Sequence, residues 1–226
     1  VTLVIGICGV RNSGKNTVGN WLTEHKHFSQ ASFAAPLKEM AKIAFPQLTE
    51  EQLYGNSKHR EESLGIRMRG LDPSTGEPLL QLFEHGEEYF LDKDGRRYPA
   101  ELTPRVILQT LGTEWGRRLY QNIWTDACLH KIYQSDVERW CITDCRFQNE
   151  MEAIRDRGGI LVRLDRGVAQ AYVEEARGSL HPSESDLLAL SADFFDFTIP
   201  NTGPLEELDE LLEEFWEEVE KLLAER

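Results

Sequence analysis

The sequence predicts an α/β fold of three layers, a central parallel sheet with helices on both faces. Three observations carry that expectation. Apolar runs of strand length alternate with helical patterns along most of the chain. The first run, Thr2-Leu3-Val4-Ile5-Gly6-Ile7-Cys8, ends in a glycine-bounded loop that opens a helix. One stretch, 49–101, is dense in turn chemistry and interrupts the alternation. We read 1–226 as a single domain, with 49–101 inserted into it.

Each element follows from its own residues. After the opening strand, 9–17 reads Gly-Val-Arg-Asn-Ser-Gly-Lys-Asn-Thr, and a helix is expected over 18–26 with Val18, Trp21 and Leu22 on one face. A second strand fits 28–33 and runs into Ala34-Ala35-Pro36, where proline suits the first helical turn. Leu37, Met40, Ala41 and Ala44 then recur at helical spacing up to Pro46. In the insertion, Asp92-Lys93-Asp94-Gly95 is flanked by Tyr89-Phe90-Leu91 and Arg96-Arg97-Tyr98, which predicts a hairpin. Thr103-Pro104 caps a helix that buries Val106, Ile107, Leu108 and Leu111, and 124–133 forms another.

Trp140-Cys141-Ile142-Thr143 reads as a buried strand ending at Asp144, followed by a helix over 148–157. Gly158-Gly159 hands over to a strand at 160–164; the segment 165–185 is polar and irregular. A short strand at 194–199 precedes the turn Asn201-Thr202-Gly203-Pro204 and a last helix. Leu208, Leu211, Leu212, Phe215, Trp216, Val219, Leu222 and Leu223 line one stripe of it, with acidic residues opposite.

Bulk properties narrow the function classes. The net charge of −14 argues against a nucleic-acid surface, which needs basic patches. No apolar run approaches the roughly 20 residues of a spanning helix, and no basic stretch with a cleavage site opens the chain; a cytoplasmic protein without membrane contact is expected. Cys8, Cys128, Cys141 and Cys145 have neither zinc-type spacing nor a CxxC arrangement, so they are expected reduced and mostly buried.

Ligands of open parallel sheets gather at the carboxyl ends of the strands, and three informative segments belong there. The first is 9–17. Backbone N–H groups of such a loop, with the positive end of the next helix, cradle phosphate oxygens, and Lys15 reaches the outer phosphates of a nucleoside triphosphate. Gly9, Arg11, Asn12, Ser13, Gly14, Lys15, Asn16 and Thr17 are therefore candidate ATP-binding residues. The plainer alternative is a glycine-rich turn with a solvated lysine. In the general motif a Ser or Thr follows the lysine and touches magnesium. Here Asn16 takes that place, so a metal contact would run through its amide oxygen or a water.

The second segment places Phe33, Leu37 and Lys38 at a helix start: Phe33 could stack on a base or simply pack in the core, and Lys38 could face an acceptor phosphate. The third holds Asp144 and Arg146, a carboxylate able to hold magnesium through water and a guanidinium able to pair with phosphate. Arg105 and Gln109 share a helix face at i, i+4, with Gly112 and Thr113 just beyond; an exposed face without function explains them as well.

With these blocks in view, the chain resembles the deoxynucleoside monophosphate kinases of bacteriophages, in the P-loop nucleoside monophosphate kinase group. The likeness rests on 9–17, Phe33-Ala34-Ala35-Pro36-Leu37-Lys38, Leu108-Gln109-Thr110-Leu111-Gly112-Thr113, and Ile142-Thr143-Asp144-Cys145-Arg146 with Asn149-Glu150-Met151. His181-Pro182-Ser183-Glu184 and the Asn201-Thr202-Gly203 turn add to it. The resemblance implies a P-loop kinase fold and transfer of the γ-phosphate of ATP to a deoxynucleoside monophosphate, with Mg2+. It implies catalytic roles for Lys15, Asp144 and Arg146, and metal contacts from Asn16 and Asp144. It implies an acceptor site drawing on Phe33, Leu37, Lys38, Arg105, Gln109, Gly112, Thr113, Asp144, Arg146 and Glu150. A closing lid would lie at 165–185, with Arg166 and His181 as ATP contacts. ATP and the monophosphate are the expected partners, and a homodimer stays open. Two rival readings use the same loop: a kinase for dephospho-coenzyme A or another small molecule, and a nucleotide-binding regulator without turnover.

Overall fold

The computed structural model describes residues 2–10, 13–55, 57–84, 87–167, 187 and 190–225. The chain forms two compact units, one of Val1–Phe33 with Cys128–Arg226 and one of Ala34–Ala127.

The first unit is built on a five-stranded, all-parallel sheet. Its strands are β1 (Leu3–Cys8), β2 (Ser29–Ala31), β6 (Arg139–Cys145), β7 (Ile160–Asp165) and β8 (Phe197–Pro200), in the order β2-β6-β1-β7-β8. Strand side chains alternate between faces, and the central strand sorts its residues accordingly. Ile5 and Ile7 join α1 (Lys15–Lys26) and the last helix, α7 (Leu205–Glu225), in one core. Val4 and Cys8 point the other way, against the second half of α5 (Ile123–Tyr133) and against α6 (Gln148–Arg155). The expected three layers are present.

The last helix buries Leu208, Leu212, Phe215, Trp216 and Val219 as the stripe predicts, while Leu223 stays exposed. Lys26 bridges the elements of this face. It lies 4.9 Å from the Trp21 ring and 5.8 Å from the Trp216 ring, and it pairs with Glu213 at 2.7 Å. The expected strand at 194–199 is shorter, because Ala192–Phe194 winds into a 3-10 turn before β8 begins.

The second unit begins with α2 (Ala35–Ala44) and α3 (Glu50–Tyr54), the latter opened by a reciprocal cap between Thr49 and Gln52. The predicted hairpin is β4 (Glu87–Leu91) with β5 (Arg97–Pro99), and an unpredicted β3 (Leu80–Glu84) completes a three-stranded antiparallel sheet. Leu79, Phe90, Tyr98 and Ala100 form its small core. Thr103 caps α4 (Pro104–Gln109) as expected, accepting from the Val106 N–H at 3.3 Å. Beyond Gln109 the helix does not end: it widens into a π-helical segment, Thr110–Arg117.

All four cysteines are buried and unpaired by disulfide. Burial pushes the Cys128 and Cys141 thiols up to about 12, and burial likewise raises Cys145, helped by contact with Cys8. These are packing residues, not nucleophiles. Among the described residues, no helix is long and apolar enough to cross a membrane.

Candidate active site

Helix α1 starts at Lys15, three residues earlier than the apolar pattern alone marks, because its first turn is polar and displays no hydrophobic face. Its N-cap, Gly14, sits at φ 97°, a left-handed conformation that strains a residue with a Cβ, and no side chain caps the helix. A helix N-terminus without a side-chain cap of its own favours an anion.

Gly9 answers a different need. A Cβ there would stand 2.3 Å from Ser13 Oγ, so only glycine lets the loop fold back over itself. Lys15 is 8% exposed and its ammonium donates to the Gly9 carbonyl at 2.8 Å and the Val10 carbonyl at 2.7 Å. The solvated-lysine alternative does not hold. Asn16 is exposed and Thr17 half-buried at the start of the helix. Arg11 and Asn12 lie outside the described residues.

Parallel pairing of β1 with β6, and of β6 with β2, sets the carboxyl ends of these strands side by side, with Cys8 opposite Cys145 and Ala31 opposite Ile142. Asp144 lies within β6 instead of after it. Its carboxylate accepts from Ser32 Oγ at 2.6 Å and from the Phe33 N–H at 2.8 Å, tying the end of β2 to β6.

Arg146 follows, and the turn carrying it is fixed by Glu150. That carboxylate, 2% exposed, accepts from the Arg146 N–H at 2.8 Å and the Phe147 N–H at 3.0 Å. Glu150 was expected against the acceptor; its geometry makes it a support for Arg146.

Phe33 is a correction. Its side chain is 2% exposed and packs with Cys128, Leu129 and Ile142, so its ring has no face to offer a base. Core packing, the other explanation, accounts for it.

The second unit gathers the remaining acceptor candidates. Lys38 stands 4.3 Å from the Tyr54 ring, a cation–π contact. Gly112 is buried, and a Cβ there would come within 2.9 Å of Leu37 Cδ2. The Gly112 carbonyl accepts the Trp124 indole N–H at 2.9 Å. Gly112 and Leu37 are therefore a packing pair. Arg105 Nε pairs with Glu61, whereas Gln109 and Thr113 are exposed.

Arg166 lies just past the carboxyl end of β7, and His181 with most of the 165–185 segment lies outside the described residues. One residue carries geometry that no motif reasoning assigned. Asn201, after β8, donates through Nδ2 to the Ser13 carbonyl at 2.8 Å. Its signal in the sequence was its place in the Asn201-Thr202-Gly203 turn, one of the blocks that add to the family resemblance, with no role attached to it. Among the described residues, no three His, Cys, Asp or Glu side chains cluster as a metal site.

No family model matches the chain. Sequence relatives do. A protein of Acanthamoeba polyphaga mimivirus, provisionally named a deoxynucleotide monophosphate kinase, is 29% identical over 220 residues, covering 91% of each chain. The deoxynucleoside-5'-monophosphate kinase of Escherichia phage T5 is 26% identical over 216 residues, covering 84% of this chain and 86% of its own. The deoxynucleotide monophosphate kinase of Escherichia phage RB69 is 23% identical over 263 residues, covering 97% and 99%. Among solved structures, the dephospho-CoA kinase from Campylobacter jejuni superposes with a TM-score of 0.51 at 11% identity, covering 98% of both chains, a likeness of fold alone. Relatives of one kind thus align nearly end to end with the chain, which is similar over most of its length to deoxynucleoside monophosphate kinases of phages and of a giant virus.

Proposed function

We propose that the protein transfers the γ-phosphate of ATP to a deoxynucleoside 5'-monophosphate, giving the diphosphate and ADP. The observation that carries this reading is the loop at 9–17, where Gly14 opens an uncapped helix and Lys15 is drawn inward over the loop. Phosphoryl transfer asks for position and charge neutralisation more than for covalent help. The α1 amides and Lys15 supply both on the donor side, and Arg146 supplies positive charge where the acceptor or transferring group would lie.

Magnesium fits the donor set. Oxygen ligands suit it, and it usually keeps several waters. Asp144 would hold it through water and Asn16 through its amide oxygen. When bound, the ion supplies charge neutralisation across the phosphates. The acceptor phosphate would be met by Lys38 and Arg105.

An acceptor panel tests the proposal: purified protein, magnesium and labelled ATP, offered each common ribo- and deoxyribonucleoside monophosphate, and dephospho-coenzyme A. Transfer to one or more deoxynucleoside monophosphates is expected. Turnover with dephospho-coenzyme A alone, or tight ATP binding with no transfer, overturns it. Lys15→Ala should abolish transfer while the fold persists, and unchanged turnover in that variant would defeat the role given to Lys15.

A further inference from the structure

We infer that Asn201 is a positioning residue for ATP, which fixes the direction of a phosphate-loop amide from outside the loop. The inference rests on the donor-site reading above.

The peptide plane provides the reason. In a trans peptide the C=O and the following N–H lie in one plane and point opposite ways. Ser13 C=O and Gly14 N–H share such a plane, and Asn201 Nδ2 holds that carbonyl at 2.8 Å. Drawing the carbonyl toward Asn201 turns the Gly14 N–H to the opposite side. The loop needs its amides aimed at phosphate and its carbonyls aimed away from it. Lys15 takes up the carbonyls of Gly9 and Val10, and Asn201 takes up that of Ser13.

Gly14 makes the peptide sensitive to this anchor. At φ 97° without a side chain, its flanking planes rotate more freely than those of other residues. The amide also packs over it closely: a Cβ on Gly14 would lie 2.6 Å from Asn201 Nδ2. Asn201 is itself anchored, because its backbone N–H donates to the Asp165 carbonyl at 2.7 Å, at the end of β7. The next residue, Thr202, crowds Gly167, whose added Cβ would come within 2.9 Å of Thr202 Cγ2. One turn therefore grips both the phosphate loop and the stem from which the 165–185 segment departs. Holding an amide in its binding direction beforehand saves ordering cost when the ligand arrives.

Two variants separate this role from simple packing. Asn201→Ala removes the donor. Asn201→Asp keeps the shape but sets a carboxylate oxygen against the Ser13 carbonyl. If the donor bond matters, Asp is the worse substitution; if only volume matters, Asp is the milder one. We expect the ATP Kd to rise about five- to tenfold in Asn201→Ala, in line with loss of one hydrogen bond, and further in Asn201→Asp. The KM for the monophosphate should stay within about twofold, and the unfolding midpoint should stay close to wild type in Asn201→Asp. Unchanged ATP affinity in both variants, an Asp variant milder than Ala, or equal losses for both substrates would overturn the inference and leave the kinase reading intact. A wild-type protein that binds no ATP would remove that reading, and this inference with it.

Discussion

Buried polar side chains near the candidate site mostly serve backbone amides and carbonyls. Glu150 is the clearest case, since two N–H groups at the start of α6 meet one carboxylate oxygen. Replacing it with Ala would remove this acceptor from both part-buried amides, a cost of about 1–3 kcal/mol. We expect Glu150→Ala to lower the unfolding free energy by that amount and to reduce kcat/KM by releasing Arg146; Glu150→Gln, still an acceptor, should keep most of both. A denaturant titration beside steady-state kinetics checks it, and unaltered stability in the Ala variant would refute the support role. At this scale the sequence was legible where a residue's chemistry has one outlet. Lys15 was expected after the first strand and Asp144 at the end of another, and they lie at the start of α1 and near the end of β6. Phe33 was not legible in this way, since an aromatic beside a helix start packs or stacks according to neighbours that only the fold supplies. Asn201 escaped because its partner lies 188 positions away in sequence.

Elements were read well where one periodicity rules. The apolar runs of β1, β6 and β7 and the stripe of α7 fell close to their observed limits. The π-helical segment Thr110–Arg117 was not foreseen, because the patterns in use assume 3.6 residues per turn. Gly112 and Gly116 sit within it, and side chains there would collide with Leu37 and with Trp124. β3 was missed because its partner strands, not its own composition, define it. The packing of α1 on β6 yields a direct test. A Cβ on Gly19 would lie 2.5 Å from Thr143 Cγ2, and the β-branched Thr143 has little freedom to turn away. Gly19→Val gains little helix propensity and should overpack the interface, costing about 1–3 kcal/mol. Thermal unfolding measures this; a variant as stable as wild type would show that the helix simply lifts.

For the whole molecule, nucleotide binding can be read through its effect on stability. A ligand that binds only folded protein stabilises it by mass action, about 2.7 kcal/mol at a hundred times its Kd. A non-hydrolysable ATP analogue should therefore raise the unfolding midpoint by several degrees, at roughly 2–4 °C per kcal/mol for chains of this size. The same analogue should leave Lys15→Ala nearly unmoved; an equal rise in that variant would place nucleotide binding elsewhere. Three layers and the strand-helix alternation were readable from one sequence, since both follow from where apolar residues recur. The boundaries of the second unit, Ala34–Ala127, were not, because the stretch rich in turns is only its middle. The lengths of the strands carry a final consequence. The outermost members of the central sheet, β2 and β8, have three and four residues, against six or seven for the three between them. Flanks so brief give a neighbouring copy little unpaired backbone to zip onto, so concentrated solutions should resist fibril-like association through this sheet.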